Sequence, residues 1–235
     1  MKKKYILEDY DSVLTELIEN VWKNEIIKFS KINEDGRINS TINEEEAINI
    51  LLSKYQDIKI FKDWELIIER QPKPRYWYDI LIHNRDNTFY CPINIKISNL
   101  NRNTADNLNS KEGLYFSLTG KIEEKTPNTW GKYFELLAKN FTEHDSDYFF
   151  IIINKNNTSD IFYNSLRRIP HLTSNGNNPP FQCVWSKNRN IEIRTYEESK
   201  NYLMSVLYAT VLKRAQILKE FRMIFTKHTN IKKKL

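Results

Sequence analysis

Apolar positions recur with a helical period at both ends of the chain and with a strand period in the middle. Val13, Leu14, Leu17, Ile18, Val21, Trp22 and Ile26 repeat at about 3.6-residue spacing between acidic and basic faces, which predicts a helix within the first 30 residues. Asp35-Gly36 reads as a turn. A second helix is expected to open at Asn43-Glu44-Glu45-Glu46, with Asn43 as its cap, Glu46 three residues on as in a capping box, and an apolar stripe of Ala47, Ile48, Leu51, Leu52 and Tyr55. From Trp64 the period falls to two. Leu66-Ile67-Ile68 is strand-like and ends at Gln71-Pro72-Lys73-Pro74-Arg75, a loop, because prolines that close cannot sit in a central strand. Residues 78–83 and 92–98 are the next two strands, joined by the polar turn Asn84-Arg85-Asp86-Asn87.

Residues 99–110 form an Asn-rich stretch without apolar periodicity and read as a loop. A helix is expected at 130–141 with Phe134, Leu137, Ala138 and Phe141 on one face, and a fully buried strand at 148–153. A second polar loop at 172–180, short strands at 182–185 and 191–194, and a long amphipathic helix over about 197–227 complete the chain. That last helix should turn Leu203, Leu207, Val211, Leu218, Phe221 and Phe225 inward. With no repeat and no linker, the order predicts one α/β domain over 1–235, a central mixed β-sheet flanked by helices.

Composition narrows the class. Two cysteines, Cys91 and Cys183, cannot form a disulfide scaffold or a four-thiolate zinc site, and His83, His144, His171 and His228 lack ligand spacing. No Gly-rich phosphate loop is present, which argues against ATP-driven chemistry. No run approaches 18 apolar residues, and Tyr5-Ile6-Leu7-Glu8-Asp9 after the lysines is too short and acidic for a signal sequence, so a cytoplasmic protein without a membrane partner is expected. The net charge of +6 equals the six lysines Lys2, Lys3, Lys4, Lys232, Lys233 and Lys234. The rest of the chain is balanced, so any affinity for a polyanion must come from local clusters such as Arg70/Lys73/Arg75 and Arg167/Arg168.

The stretch from Asp79 to Lys96 carries the chemistry. In Pro92-Ile93-Asn94-Ile95-Lys96-Ile97-Ser98 the isoleucines alternate with Asn94, Lys96 and Ser98, which therefore share one face of a strand. If this strand pairs with 78–83, the Asp79 carboxylate, the Asn94 carboxamide and the Lys96 ammonium converge. Oxygen donors of that kind suit a hard cation such as Mg²⁺, and a neighbouring Lys can orient a water and stabilise charge developing on a phosphoryl group. The same alternation also describes any strand with one wet face.

The segment Glu65-Leu66-Ile67-Ile68-Glu69-Arg70-Gln71-Pro72, then Tyr76-Trp77-Tyr78-Asp79-Ile80-Leu81 and Pro92 to Ser98, resembles the catalytic core of type II restriction endonucleases of the PD-(D/E)xK superfamily, EcoRV-like branch. The resemblance covers roughly residues 35–125, including Tyr115-Phe116-Ser117-Leu118-Thr119-Gly120. It implies a restriction-endonuclease-like core and a bacterial homodimer that hydrolyses a palindromic double-stranded DNA site with Mg²⁺, leaving blunt ends. Mn²⁺ or Ca²⁺ would substitute in binding, and a cognate DNA methyltransferase would protect the host. On this reading Asp79, Asn94 and the Ile95 carbonyl hold the metal and Lys96 assists attack. Tyr78 stands in place of the family's Pro, and Asn94 in place of its second acid, which leaves the site one negative charge short. Glu46 is the first candidate to replace it and Glu69 the second, although carboxylates in a first helical turn also simply complement the helix dipole. The chain divides into a helical and dimerisation part at about 1–60, a catalytic sheet at about 61–155, and a recognition loop with the C-terminal helix at about 156–235.

Three loops offer groups for DNA. Arg70, Gln71, Lys73 and Arg75 occupy the family's minor-groove position, and Asn101 and Asn103 would run along the backbone. Thr173, Ser174, Asn175, Asn177 and Asn178 form a row of groups that pair with base edges, or an ordinary Asn/Gly turn. Two other readings stand beside the nuclease: a non-catalytic DNA-binding module on the same fold, and an assembly protein whose long C-terminal helix is its interface.

Overall fold

A computed structural model of the chain describes residues 4–22 and 36–225, the side chains of 36–41, Arg222 and Phe225 excepted. Helix α1 (Leu7–Val21) begins where the Asp9 carboxylate accepts the Ile6 N–H at 2.9 Å, and it buries Val13, Leu14, Leu17 and Val21, the predicted stripe. Ile26 and Asp35 lie outside the described residues. Helix α2 (Gly36–Lys54) starts seven residues before the expected cap. Asn43 is therefore inside the helix, at i, i+4, i+8 spacing with Ala47 and Leu51 on the buried face, and its Oδ1 has no hydrogen-bond partner.

After a short helix α3 (Lys59–Asp63), strands β1 (Ile67–Arg70), β2 (Ile80–His83) and β3 (Tyr90–Ser98) form an antiparallel meander. The turn between β2 and β3 is closed by Asn84, whose Oδ1 accepts the Phe89 N–H at 3.0 Å. The chain then crosses over through helices α4 (Lys111–Thr119) and α5 (Trp130–Asn140) to β5 (Phe149–Asn154), parallel to β3 and in register from Ile93 opposite Phe149 to Ser98 opposite Asn154. A crossover of that length is what a parallel pair requires. Strand β6 (Ile161–Ser165) adds antiparallel to β5, giving a mixed sheet of order β1-β2-β3-β5-β6.

Four expectations about the remainder need correction. The stretch 99–110 contains strand β4 (Asp106–Leu108) and the stretch 172–180 begins with β7 (Leu172–Ser174). Both pair with β8 (Phe181–Cys183) in a second sheet of order β4-β8-β7. Residues 191–194 form no strand; Glu192 N–H donates once to the Arg168 carbonyl and the pairing goes no further. In α5 the buried residues are Tyr133 and Leu137, while Ala138 is exposed, so the packed face is rotated from the predicted one.

The main sheet has a core on each side. Ile80, Ile82, Ile93, Ile95, Phe149, Ile151 and Ile153 face α1, α2 and α3. Leu81, Phe150 and Ile152 face the other way, against α4, α5, the second sheet and helix α6 (Tyr196–Phe225). Leu203 and Leu207 of α6 are buried as expected, but Val211, Leu218 and Phe221 are exposed, because the body beneath the helix ends near Thr210, whose hydroxyl donates to the Pro180 carbonyl at 2.7 Å.

Arg167 and Arg168 are buried rather than presented to a polyanion. Arg168 makes two 2.8 Å bonds to Asp11 on α1, and Arg167 donates to the His144 and Ser146 carbonyls beside buried Asp147. Among the described residues no helix is long and apolar enough to cross a membrane.

Candidate functional site

The site lies where β2 stops pairing with β3. The ladder ends at Ile80 opposite Ile93. One residue earlier the Asp79 N–H still donates to the Ile93 carbonyl (2.9 Å), but the next β3 donor, Ile95 N–H, is taken by the Asp79 carboxylate at 2.7 Å. A side chain thus replaces backbone where the strand runs out. Ser98 accepts from Lys155 N–H on the β5 side, so the even-numbered peptide groups of β3 turn toward β5 and the odd ones toward Asp79. The Ile95 carbonyl therefore faces the Asp79 side.

Asn94 and Lys96 leave β3 on the opposite face from Ile93 and Ile95, in register with Phe150 and Ile152. Both line a cleft of about 410 Å³ whose walls include Tyr76, Trp77, Tyr148 and Phe150 and which also carries the cations Lys73, Arg75 and Lys125, the acids Glu112 and Glu124, and Asn107, Asn109 and Ser110. Asp79 does not line the cleft. It is mostly buried, and burial raises its carboxyl above the usual aspartate range, opposed by the Ile95 N–H and the Lys96 ammonium and reinforced by the Glu45 charge.

Tyr148 ties the group together. Its hydroxyl donates to the Trp77 carbonyl at 2.6 Å, and both the Asp79 charge and the Asn94 side chain act on it. Helix α4 comes so close to this ring that a Cβ on Gly113 would meet it at 2.5 Å. Ser110 caps that helix, its Oγ accepting the Gly113 N–H at 2.8 Å.

The donor set agrees in kind with a hard divalent cation: one carboxylate, a strand carbonyl, and the Asn94 Oδ1, a buried oxygen with no hydrogen-bond partner. It is sparse in charge, since among the described residues no three His, Cys, Asp or Glu side chains gather as a metal centre.

The two acids considered as replacements are placed differently. Glu69 on β1 lies 3.4 Å from His83 Nε2. On α2 it is Glu45, one residue before Glu46, whose charge bears on Asp79, and Glu45 also holds Arg70 at 2.6 Å. An acid overlooked in the sequence is Asp106. Burial raises its carboxyl, while the Ser98 hydroxyl and Lys96 pull it down, so Lys96 acts on two buried carboxylates, Asp79 and Asp106. The signal for it was faint: Leu100, Ala105 and Leu108, without strand alternation, in an otherwise polar run.

Of the groups assigned to DNA, Lys73 and Arg75 reach the cleft. Arg70 is engaged by Glu45 and Asn49, and Gln71 closes its own loop by accepting the Tyr76 N–H at 3.2 Å. Asn101 and Asn103 are exposed, apart from the cleft lining. Asn175 is buried and structural: it donates to Asn107 Oδ1 at 2.7 Å and accepts the Asn178 N–H at 2.9 Å. Thr173 bonds the Gln182 carbonyl, and the Ser174 carbonyl accepts from Lys213, which leaves the Asn177 and Asn178 side chains exposed. The bond between Asn175 and Asn107 joins this loop to the cleft wall, so two loops 68 residues apart in sequence are tied together through one sheet.

Compared with known protein families and with curated proteins, the chain matches no family model and no individual protein significantly.

Proposed function

We propose that the chain is a Mg²⁺-dependent endonuclease of double-stranded DNA with a restriction-endonuclease-like core. The observation that carries this reading is the placement of Asn94 and Lys96 side by side on β3 in a cleft bearing Lys73, Arg75 and Lys125, with the Asp79 carboxylate anchored on the intervening Ile95 N–H. The meander β1-β2-β3 after α2 and α3, followed through β4, α4 and α5 by β5 parallel to β3, supports the same core.

In this mechanism Asp79, Asn94 Oδ1 and the Ile95 carbonyl would hold the ion, which when bound would supply a charge to polarise the scissile phosphate and acidify water. Lys73, Arg75 and Lys125 attract the phosphodiester backbone. Lys96 donates a hydrogen bond to the attacking water and counters negative charge as the phosphorus becomes five-coordinate. Water adds to phosphorus and gives up its proton to solvent, the bond to one deoxyribose oxygen breaks, and that oxygen takes a proton from solvent as it leaves. A homodimer would cut both strands of a palindromic site, with blunt ends following from the resemblance and a methyltransferase protecting the host.

Cleavage of supercoiled plasmid in Mg²⁺ tests the proposal. Wild type should nick or linearise the plasmid, and Lys96→Ala should slow cleavage by about 10² or more, the usual effect of removing a transition-state donor. Equal rates in both proteins would sink the mechanism. The second reading, a DNA-binding module without catalysis, is favoured by the single missing charge at Asn94. It predicts salt-sensitive DNA affinity and no cleavage with Mg²⁺ or Mn²⁺.

A further inference from the structure

The C-terminal half of α6 carries a surface that the site does not use. Every described residue from Val211 onward is exposed, yet Val211, Leu212, Ile217, Leu218, Met223 and Ile224 are large and apolar. Tyr208, Val211, Ala215 and Leu218 follow one another at 3-4-3 spacing and form one face. That face continues into a groove against α5, lined by Trp130, Phe134, Pro179, Val211, Ala215 and Leu218. A surface helix normally has a single apolar stripe, turned to its own core.

We infer that this face is the interface at which a second copy of the chain docks, the two α6 helices pairing antiparallel about a two-fold axis. Three observations select a second copy. First, Tyr208, Val211 and Leu218 are 65%, 39% and 46% exposed and run into the groove wall of Trp130 and Phe134, so the face keeps apolar area to bury against a partner at the small end of the interface range. Second, the face is self-complementary: pairing about a centre between Gln216 and Ile217 sets the small Ala215 of each copy against Leu218 of the other. Because both residues line the groove, each Leu218 enters the space beside the other copy's Ala215. Third, the helices that could otherwise serve are already occupied. Among the described residues, Val13, Leu14, Leu17 and Val21 of α1 and Ala47, Ile48 and Leu51 of α2 are buried on the main sheet, in the part of the chain from which dimerisation was expected.

The inference is independent of the nuclease reading, since it concerns association and requires no cleavage. Sedimentation velocity on the full chain between about 5 and 100 μM tests it. The expected result is a dimer of the 28.2 kDa chain, reduced to monomer by Leu218→Glu and, separately, by Ala215→Arg. Both positions are exposed, so far-UV circular dichroism and melting of the monomeric variants should match wild type at equal concentration within the small shift due to lost association. A wild type that stays monomeric at the highest concentration overturns the proposal. So does a dimer that survives both substitutions, which would place the contact elsewhere.

Discussion

Replacing Asn94 by Asp restores the acid that the resemblance expects, and the structure sets its consequences. Asn94 Oδ1 is already buried without a partner, a condition that costs roughly 1–3 kcal/mol. Asn94→Asp adds a second negative charge to a region where Asp79 is already penalised by burial. Two like charges about 5 Å apart repel by roughly 3 kcal/mol at an effective dielectric near 20. Attraction to Lys96 and uptake of a proton offset part of this, leaving a net loss of about 1–2 kcal/mol without metal. For a domain of this size that is a fall in Tm of about 3–8 °C. Mg²⁺ at 100 times its Kd then returns about 2.7 kcal/mol to whichever protein binds it. Thermal unfolding at pH 7.5, with and without 10 mM MgCl₂ at matched ionic strength, should show the variant lower in the absence of metal and raised by Mg²⁺ more than wild type. The metal-free deficit should shrink toward pH 5 as the added carboxyl protonates. In the cleavage assay the variant should need less Mg²⁺ for half-maximal rate. Equal Mg²⁺ shifts in the two proteins would refute the assignment of Asn94 as a ligand.

Three further outcomes are expected. Asp79→Asn keeps an oxygen for the Ile95 N–H but removes a carboxylate whose pKa is raised by burial; such a group destabilises the fold above its ordinary value, so the variant should be more stable than wild type at pH 7 while losing cleavage, as urea titration and the plasmid assay would show. Asp11→Ala leaves the Arg168 guanidinium buried without its carboxylate and should cost about 3–5 kcal/mol in the same titration; a loss below 1 kcal/mol would contradict the buried pair. Burial, aided by Arg167, lowers the His144 pKa to about 4, so the native protein refuses a proton that the unfolded chain accepts at 6.5; stability from this group is intact above pH 6.5 and falls by roughly 3 kcal/mol down to pH 4, and His144→Gln should flatten that decline.

Strands β2 and β3 were legible because strict alternation leaves few choices: shifting Ile93, Ile95 and Ile97 by one residue would bury Asn94 and Lys96 instead. The same alternation put Asn94 and Lys96 in the cleft together, while Ser98 and Asp79, expected beside them, do not line it. The second sheet was illegible because its strands are three residues long and each is anchored by one or two apolar groups, such as Leu108, Leu172 and Phe181. Asp106 was missed with it. The start of α2 was misread because Asn43 has the chemistry of a cap, while only the packing reveals that its face is covered. Arg167 and Arg168 looked like a basic patch because Asp11, the partner of Arg168, lies 157 residues away. For α6, periodicity specified which side chains line up but not where the body beneath them ends.

The bond between Asp79 and Ile95 N–H also bears on descent. Asp79 closes the frayed end of the β2–β3 pairing as well as standing at the proposed metal site, so selection for folding alone preserves an oxygen acceptor there. Lys96 offsets the buried charges of Asp79 and Asp106, a duty that ends once those positions become amides. In a lineage that abandoned cleavage, Asp79 or its amide would persist while Lys96 drifted. Among descendants of this chain, position 96 and not position 79 is therefore the one that reports whether the chemistry was kept.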